Sequence, residues 1–258
     1  MIAAGDDVHV NRLPLTTALR PNPEIKIEVL YEDESVLVVD KPGLIPCHPL
    51  RDCEIETVIN GVIANHPEVA EAGDKPLEGG LVHRLDNGTS GALIVARTHD
   101  AFEAMRSAIR RGDIARRYLA LCAGNFDGIS EIATPIAHHP RNRRKMITML
   151  PGTPFSVGAR PAATVVQAVE SFPGFSLIEA KPRTGRRHQL RVHLASIGHP
   201  LVGDGLYGGP EMVELAPGRF WLHLREVAFD SPSGGQIRID APLPADLNAV
   251  LSRLLSNQ

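Results

Sequence analysis

The stretch His83-Arg84-Leu85-Asp86-Asn87-Gly88-Thr89-Ser90-Gly91, running straight into Ala92-Leu93-Ile94-Val95-Ala96, constrains this chain more than any other. The apolar run reads as a buried strand, and the residues before it read as a turn that feeds it. Asn87-Gly88 and Gly91 tolerate positive φ, while the Thr89 and Ser90 hydroxyls can bond loop backbone. Asp86 is therefore predicted on a stiffened loop at the entrance to the core. By itself the segment fits two readings: a catalytic carboxylate, or a turn aspartate paired with Arg84.

Charge distribution says more than net charge. The chain totals −3, yet residues 106–117, 138–145 and 181–191 hold fourteen cationic side chains against one acidic one, leaving −16 for the rest. Such segregation suits a basic groove on an acidic body, which would focus a polyanion onto one face. The competing explanation is solvated helix faces. Cys47, Cys53 and Cys122 form no CxxC pair, so they are read as reduced packing residues. The eleven histidines show no metal-ligand spacing, and no metal site is predicted. No apolar run is long enough to span a membrane. A monomeric, cytoplasmic protein with no membrane or protein partner is the expectation.

Along the chain, residues 1–24 contain Pro14, Pro21 and Pro23 and are expected to form an extended arm, with one folded unit over 25–258. Period-two alternation from Ile25 predicts a strand, and Val36–Val39 a second that ends at Asp40-Lys41-Pro42-Gly43. Ile55, Val58, Ile59, Val62 and Ile63 share a helical face, with Asp52 as the expected cap. Asp100 and Glu103 suggest a capping box for a helix that Gly112 closes. A strand is expected over Ile114–Ala123, and a basic loop or hairpin over Pro135–Pro151. Two antiparallel strands should meet through Pro173-Gly174. Thr184 is the expected cap of a helix carrying Leu190, Leu194 and Ile197 on one face, which would set Arg187 and Arg191 one turn apart.

Three ordered blocks carry a resemblance. HRLD followed by two residues and TSG, at His83–Gly91, resembles the signature of the RluA-type RNA pseudouridine synthases. The strand ending in Asp40-Lys41-Pro42-Gly43 is similar to that family's first motif, though its glycine segment is a residue shorter. TGRRHQLRVHL at Thr184–Leu194, with GHPLVGDGLYG at Gly198–Gly208, is similar to its third. The resemblance runs from about residue 28 to 247 and implies an α+β fold: a mixed, largely antiparallel sheet with a central cleft, flanked by helices and loops. Residues 1–24 are too few for the S4-type RNA-binding domain that some members carry in front of the catalytic domain, and none is expected there.

The resemblance also assigns roles. Asp86 matches the aspartate that attacks the uridine, Tyr118 the tyrosine beneath the target base, and Arg191 the arginine that pairs with the aspartate. Lys41, Arg84, Arg117, Arg143, Arg144, Lys145, Arg186, Arg187 and His188 are the expected RNA contacts, with Arg117 standing where a lysine is more usual. Lys41 is open to a second reading as a structural lysine before a proline. Turning uridine into pseudouridine needs a nucleophile, a tight pocket and a flipped base, so no cofactor is implied. The expected substrate is ribosomal or transfer RNA. The alternative is an RNA-binding or RNA-folding protein that uses the same basic cleft without turnover; such a protein would need the cations but not Asp86 beside Arg191. A phosphoryl-accepting role for Asp86 is weakened by the absence of a P-loop or paired acids for magnesium.

Overall fold

The computed structural model describes residues 18–149 and 158–256. The proposed arm lies mostly outside the described residues. Its last part, from residue 18, packs on the body: Leu19 is buried, the Asn22 amide donates to Ile55 O, and the Asn60 amide donates to Arg20 O.

Eleven strands are present among the described residues: β1 (Glu28–Glu32), β2 (Val36–Lys41), β3 (Ser90–Ala96), β4 (Ala115–Ala123), β5 (Ile129–Ile132), β6 (Ile136–His138), β7 (Met146–Thr148), β8 (Thr164–Phe172), β9 (Phe175–Pro182), β10 (Leu222–Asp230) and β11 (Gln236–Asp240). The main sheet runs β1-β2-β3-β10-β4-β9-β8-β5, with β11 paired to β10, and β6 and β7 form a separate hairpin. Its pairs are antiparallel except β3 beside β10, where His223 faces Ser90 and Leu224 faces Gly91. The helices are α1 (Val58–Val62), α2 (His99–Arg111), α3 (Gln189–Ser196) and α4 (Ala245–Leu255), and none is long and apolar enough to cross a membrane.

The short parallel contact positions the site. One row crosses the sheet as Lys41, Gly91, Leu224, Tyr118, Ala180 and Val166, so the loop ending at Gly91 emerges one strand away from Tyr118. Gly91 has φ 114°, and a Cβ there would collide with the Leu224 carbonyl. Only glycine lets β3 enter the sheet this close to β10. Every residue of β3 is buried, as its apolar run predicts. Phe102 and Met105 of α2 join the core cluster over that side, while Leu247 and Val250 of α4 pack with Leu121 and Trp221 in a second cluster.

Several local expectations are corrected. β1 begins at Glu28 rather than Ile25, and α1 is a short segment preceded by Thr57, with Asp52 outside it and Ile55 partly exposed. Thr98, not Asp100, caps α2, accepting the Ala101 N–H at 3.2 Å, while Gly112 closes it in the left-handed region as expected. Residues 66–80, whose Pro, Gly and Glu content reads as a loop, contain a 3-10 turn over Pro67–Glu71. Cys53 is exposed and so is not a packing residue, whereas Cys47 and Cys122 are buried.

Candidate active site

The loop that carries Asp86 is held from below by buried groups. Lys41 has no exposed surface; its Nζ donates to the carbonyls of Pro42 (2.8 Å), Asn87 (3.2 Å) and Thr89 (2.7 Å). This corrects its reading as an RNA contact, because an ammonium enclosed by three carbonyls is out of a phosphate's reach. Burial pushes its pKa down to about 8. On the other side Arg219, also buried, donates to the carbonyls of Gly88 and Phe220, to Ser90 Oγ and to Asp246. The Cys47 sulfur accepts the Leu85 N–H at 3.3 Å. Gly88 does not adopt positive φ; it is required because a Cβ would strike the Gly218 carbonyl and the Phe220 ring. The Ser90 hydroxyl turns away from the loop toward His223 Nδ1, 2.9 Å off.

So fixed, Asp86 presents a carboxylate with 25% of its side chain exposed to a cleft of about 830 Å³. Arg191 Nη1 donates to Asp86 Oδ2 at 3.3 Å. Asp86 pairs with Arg191, not with Arg84, which is exposed on the cleft wall. The stronger partner of Arg191 is Asp204, which the sequence reading left without a role. Asp204 accepts from Nε at 2.7 Å and from Nη2 at 2.8 Å, a two-pronged contact buried among side chains. The guanidinium also lies 4.3 Å from the Phe220 ring centroid and 5.1 Å from that of Tyr207. It is thereby aimed, with Nη1 turned to Asp86.

Tyr118 lines the same cleft, and burial pushes its phenol up to about 12, so it keeps its proton near neutral pH. His83 also borders the cleft; its Nε2 accepts the Ile94 N–H at 3.1 Å, and burial first, then Arg116, holds its pKa down at about 3. His188 has left-handed backbone with φ 53°, sits 3.0 Å from the Tyr207 hydroxyl, and is pushed down to about 4 by burial.

The cleft gathers Arg84, Arg186, Arg187 and His188 as expected, together with Arg116, which was not singled out. A second lobe of about 590 Å³ shares Asp86 and Arg191 with the first and adds Arg144. Arg143 and Lys145 stand on the β6–β7 hairpin; Arg187 Nη1 reaches Arg143 O at 3.5 Å, and Lys145 lies over the Tyr207 ring. Thr184 does not cap α3. Its hydroxyl donates to Gln189 Oε1, the helix starts at Gln189, and Arg187 therefore precedes the helix rather than lying one turn below Arg191.

Arg117 is the other correction among the expected RNA contacts. Successive strand residues face opposite sides of a sheet, and with Tyr118 toward the cleft its neighbour points to the back. There Arg117 pairs with Glu226 at 2.7 Å and Glu179 at 3.2 Å.

The solved structure of human RNA Pseudouridylate Synthase Domain Containing 4 matches with a TM-score of 0.68 at 22% identity, covering 88% of this chain and 93% of that one. The architecture is the α+β pseudouridine synthase fold. In sequence, a family model described as RNA pseudouridylate synthase matches residues 35–196. Ribosomal large subunit pseudouridine synthase D of Neisseria meningitidis is 34% identical over 97% of this chain and 67% of that protein. The protein so named in Xanthomonas campestris is 35% identical over 98% of this chain and 77% of its own length. The chain belongs to the RluA-type RNA pseudouridine synthases, enzymes that isomerise uridine in RNA to pseudouridine.

Proposed function

We propose that this enzyme acts on a uridine of large-subunit ribosomal RNA, with Asp86 as the nucleophile, Arg191 as its orienting cation and Tyr118 as the platform for the base. The observation that carries the reading is Asp86 itself, a carboxylate on a braced loop, under an aimed arginine, in a cleft rich in arginines. An RNA-binding role alone would need the cations but gives no reason to hold a carboxylate among them, where it repels phosphate. The names of the relatives favour ribosomal over transfer RNA as substrate.

In this mechanism the target uridine leaves its helix and enters beside Tyr118. Attack by Asp86 breaks the bond to N1, the uracil turns while held, and C5 bonds to C1′ as the aspartate is released. The C5 proton is then lost and N1 takes one up, so the reaction balances as an isomerisation. Because the Tyr118 phenol stays protonated, it can serve the C5 step only by relaying, accepting one proton while passing its own to a neighbouring acceptor. Arg84, Arg144, Arg186 and Arg187, with Arg143 and Lys145 of the hairpin, supply phosphate contacts along the cleft.

The test is release of tritium from RNA labelled at uridine C5. Asp86→Asn should abolish release while RNA binding survives; turnover within tenfold of wild type would remove Asp86 from the nucleophile role. Pseudouridine maps of total RNA with and without the gene address the substrate, and large-subunit RNA that keeps every site would refute that assignment.

A further inference from the structure

The Arg116 side chain is charged, borders the cleft, and has no ion pair or hydrogen bond among the described residues; its Nε is buried without a partner. The guanidiniums nearer the core are paired, Arg117 through its Nη atoms although its own Nε is likewise buried without a partner. Arg117 has its glutamates, Arg191 its two aspartates, Arg219 its carbonyls and Asp246. A guanidinium that is partly desolvated and unpaired costs folding free energy, so its retention calls for an anion that arrives later.

Its position says which anion. β9 ends at Pro182, two residues past the Ala180 that pairs with Tyr118, so the flank of β4 at Arg116 is open to the loop over residues 183–188. A Cβ built on Gly185 would lie 3.6 Å from Arg116 Nη1, with nothing else within 4 Å. The side chain thus spans from the Tyr118 strand to the loop that carries Arg186 and Arg187. Among the described residues two carboxylates border this cleft, Glu78 and Asp86, and neither pairs with Arg116. Two residues before Tyr118 on the same face, the free guanidinium fork is placed to meet the sugar–phosphate of whatever base lies on that ring.

We infer that Arg116 is a substrate-positioning residue that binds a phosphodiester of the target nucleotide or its immediate neighbour, seating the flipped uridine against Tyr118. This rests on the proposed placement of the base, and it separates one phosphate-specific contact from the sequence-independent pull of the other cations. A planar fork fits two phosphate oxygens, so lysine would replace its charge but not its geometry.

The experiment crosses protein variants with RNA in which single phosphates around the target uridine are replaced by methylphosphonate. Arg116→Gln should weaken RNA binding about tenfold to a hundredfold, the range for loss of a charge-assisted hydrogen bond, with Arg116→Lys between. One methylphosphonate position should cost wild type a similar factor and cost Arg116→Gln little further. The melting temperature of Arg116→Gln should stay level or rise, because the arginine has no partner to lose. A fall in melting temperature, or penalties that multiply at every phosphate position, would make Arg116 a structural or diffuse charge and overturn the inference. Failure of the Asp86 assignment is read separately, since Asp86→Asn tests turnover whereas these binding measurements need none.

Discussion

Asp204→Asn is the substitution that most directly tests how the site is aimed. The side chain is 1% exposed and receives two hydrogen bonds from Arg191, at 2.7 and 2.8 Å. Asparagine has nearly the same shape, but it offers one acceptor and turns an NH₂ toward the other guanidinium N–H. One buried charged donor is then left facing a donor, and the pair loses its counter-charge. Breaking a buried pair at one partner costs about 3–5 kcal/mol; the retained acceptor and the remaining contact to Asp86 place the expected loss near the lower end, ~3 kcal/mol. For a chain of this size that lowers the melting temperature by roughly 6–12 °C. Arg191 also loses its anchor and is drawn toward Asp86, and a displacement of about 1 Å at a reacting group can cost about a hundredfold in rate. Single-turnover rates at saturating enzyme should therefore fall about a hundredfold while RNA affinity changes little. An Asp204→Asn enzyme with wild-type melting and wild-type single-turnover rate would refute the reasoning, because Arg191 would then need no second carboxylate.

Gly91→Ala should destabilise by more than ~3 kcal/mol, since it combines a strained φ with a collision against the Leu224 carbonyl, and urea denaturation will show whether it does. His188 is pushed down to about 4 by burial, so the unfolded chain binds the extra proton between about pH 6.5 and 4. Its contribution is complete above pH 6.5 and is lost as pH falls toward 4; His188→Asn, which tolerates the left-handed backbone, should flatten that part of the melting-temperature profile, and an unchanged profile would count against it. Arg117→Ala should lower stability by roughly 1–2 kcal/mol, because buried Glu226 keeps only the exposed Arg238 at 3.6 Å, yet leave the dependence of RNA binding on salt unchanged. Arg187→Ala should reduce that salt slope by about one, and the opposite pattern would reverse the two assignments.

Much of the site was legible because it is local in sequence. A buried strand announces itself as an unbroken apolar run, Gly91 and Gly112 mark the positions where φ turns positive, and the blocks around Asp86 and Arg191 bring their chemistry with them. The Asp86–Arg191 contact was expected from resemblance and is present, though as the longest of the three hydrogen bonds Arg191 makes to its two carboxylates. Helix starts were less legible: Thr98 and Asp100 are both good caps by type, and only the backbone shows which one stands outside the first turn.

What the tertiary structure alone decided are matters of facing and partnership. Alternation tells that Arg116 and Arg117 lie on opposite sides of β4, but nothing in the strand itself says which side is the cleft; β10, β9 and their glutamates decide that. Lys41 reads as an RNA contact or a structural lysine, and only the three carbonyls from two chain segments that close around it decide for the second. Arg219 lies far along the chain from the loop it helps to hold, and Asp204, though inside the Gly198–Gly208 block, shows its role only once folding sets it against Arg191. Side-chain type and spacing determine which chemistry is possible, because they act over a few residues. Which charges are buried, paired or left free depends on groups distant in sequence that only folding brings within hydrogen-bond range.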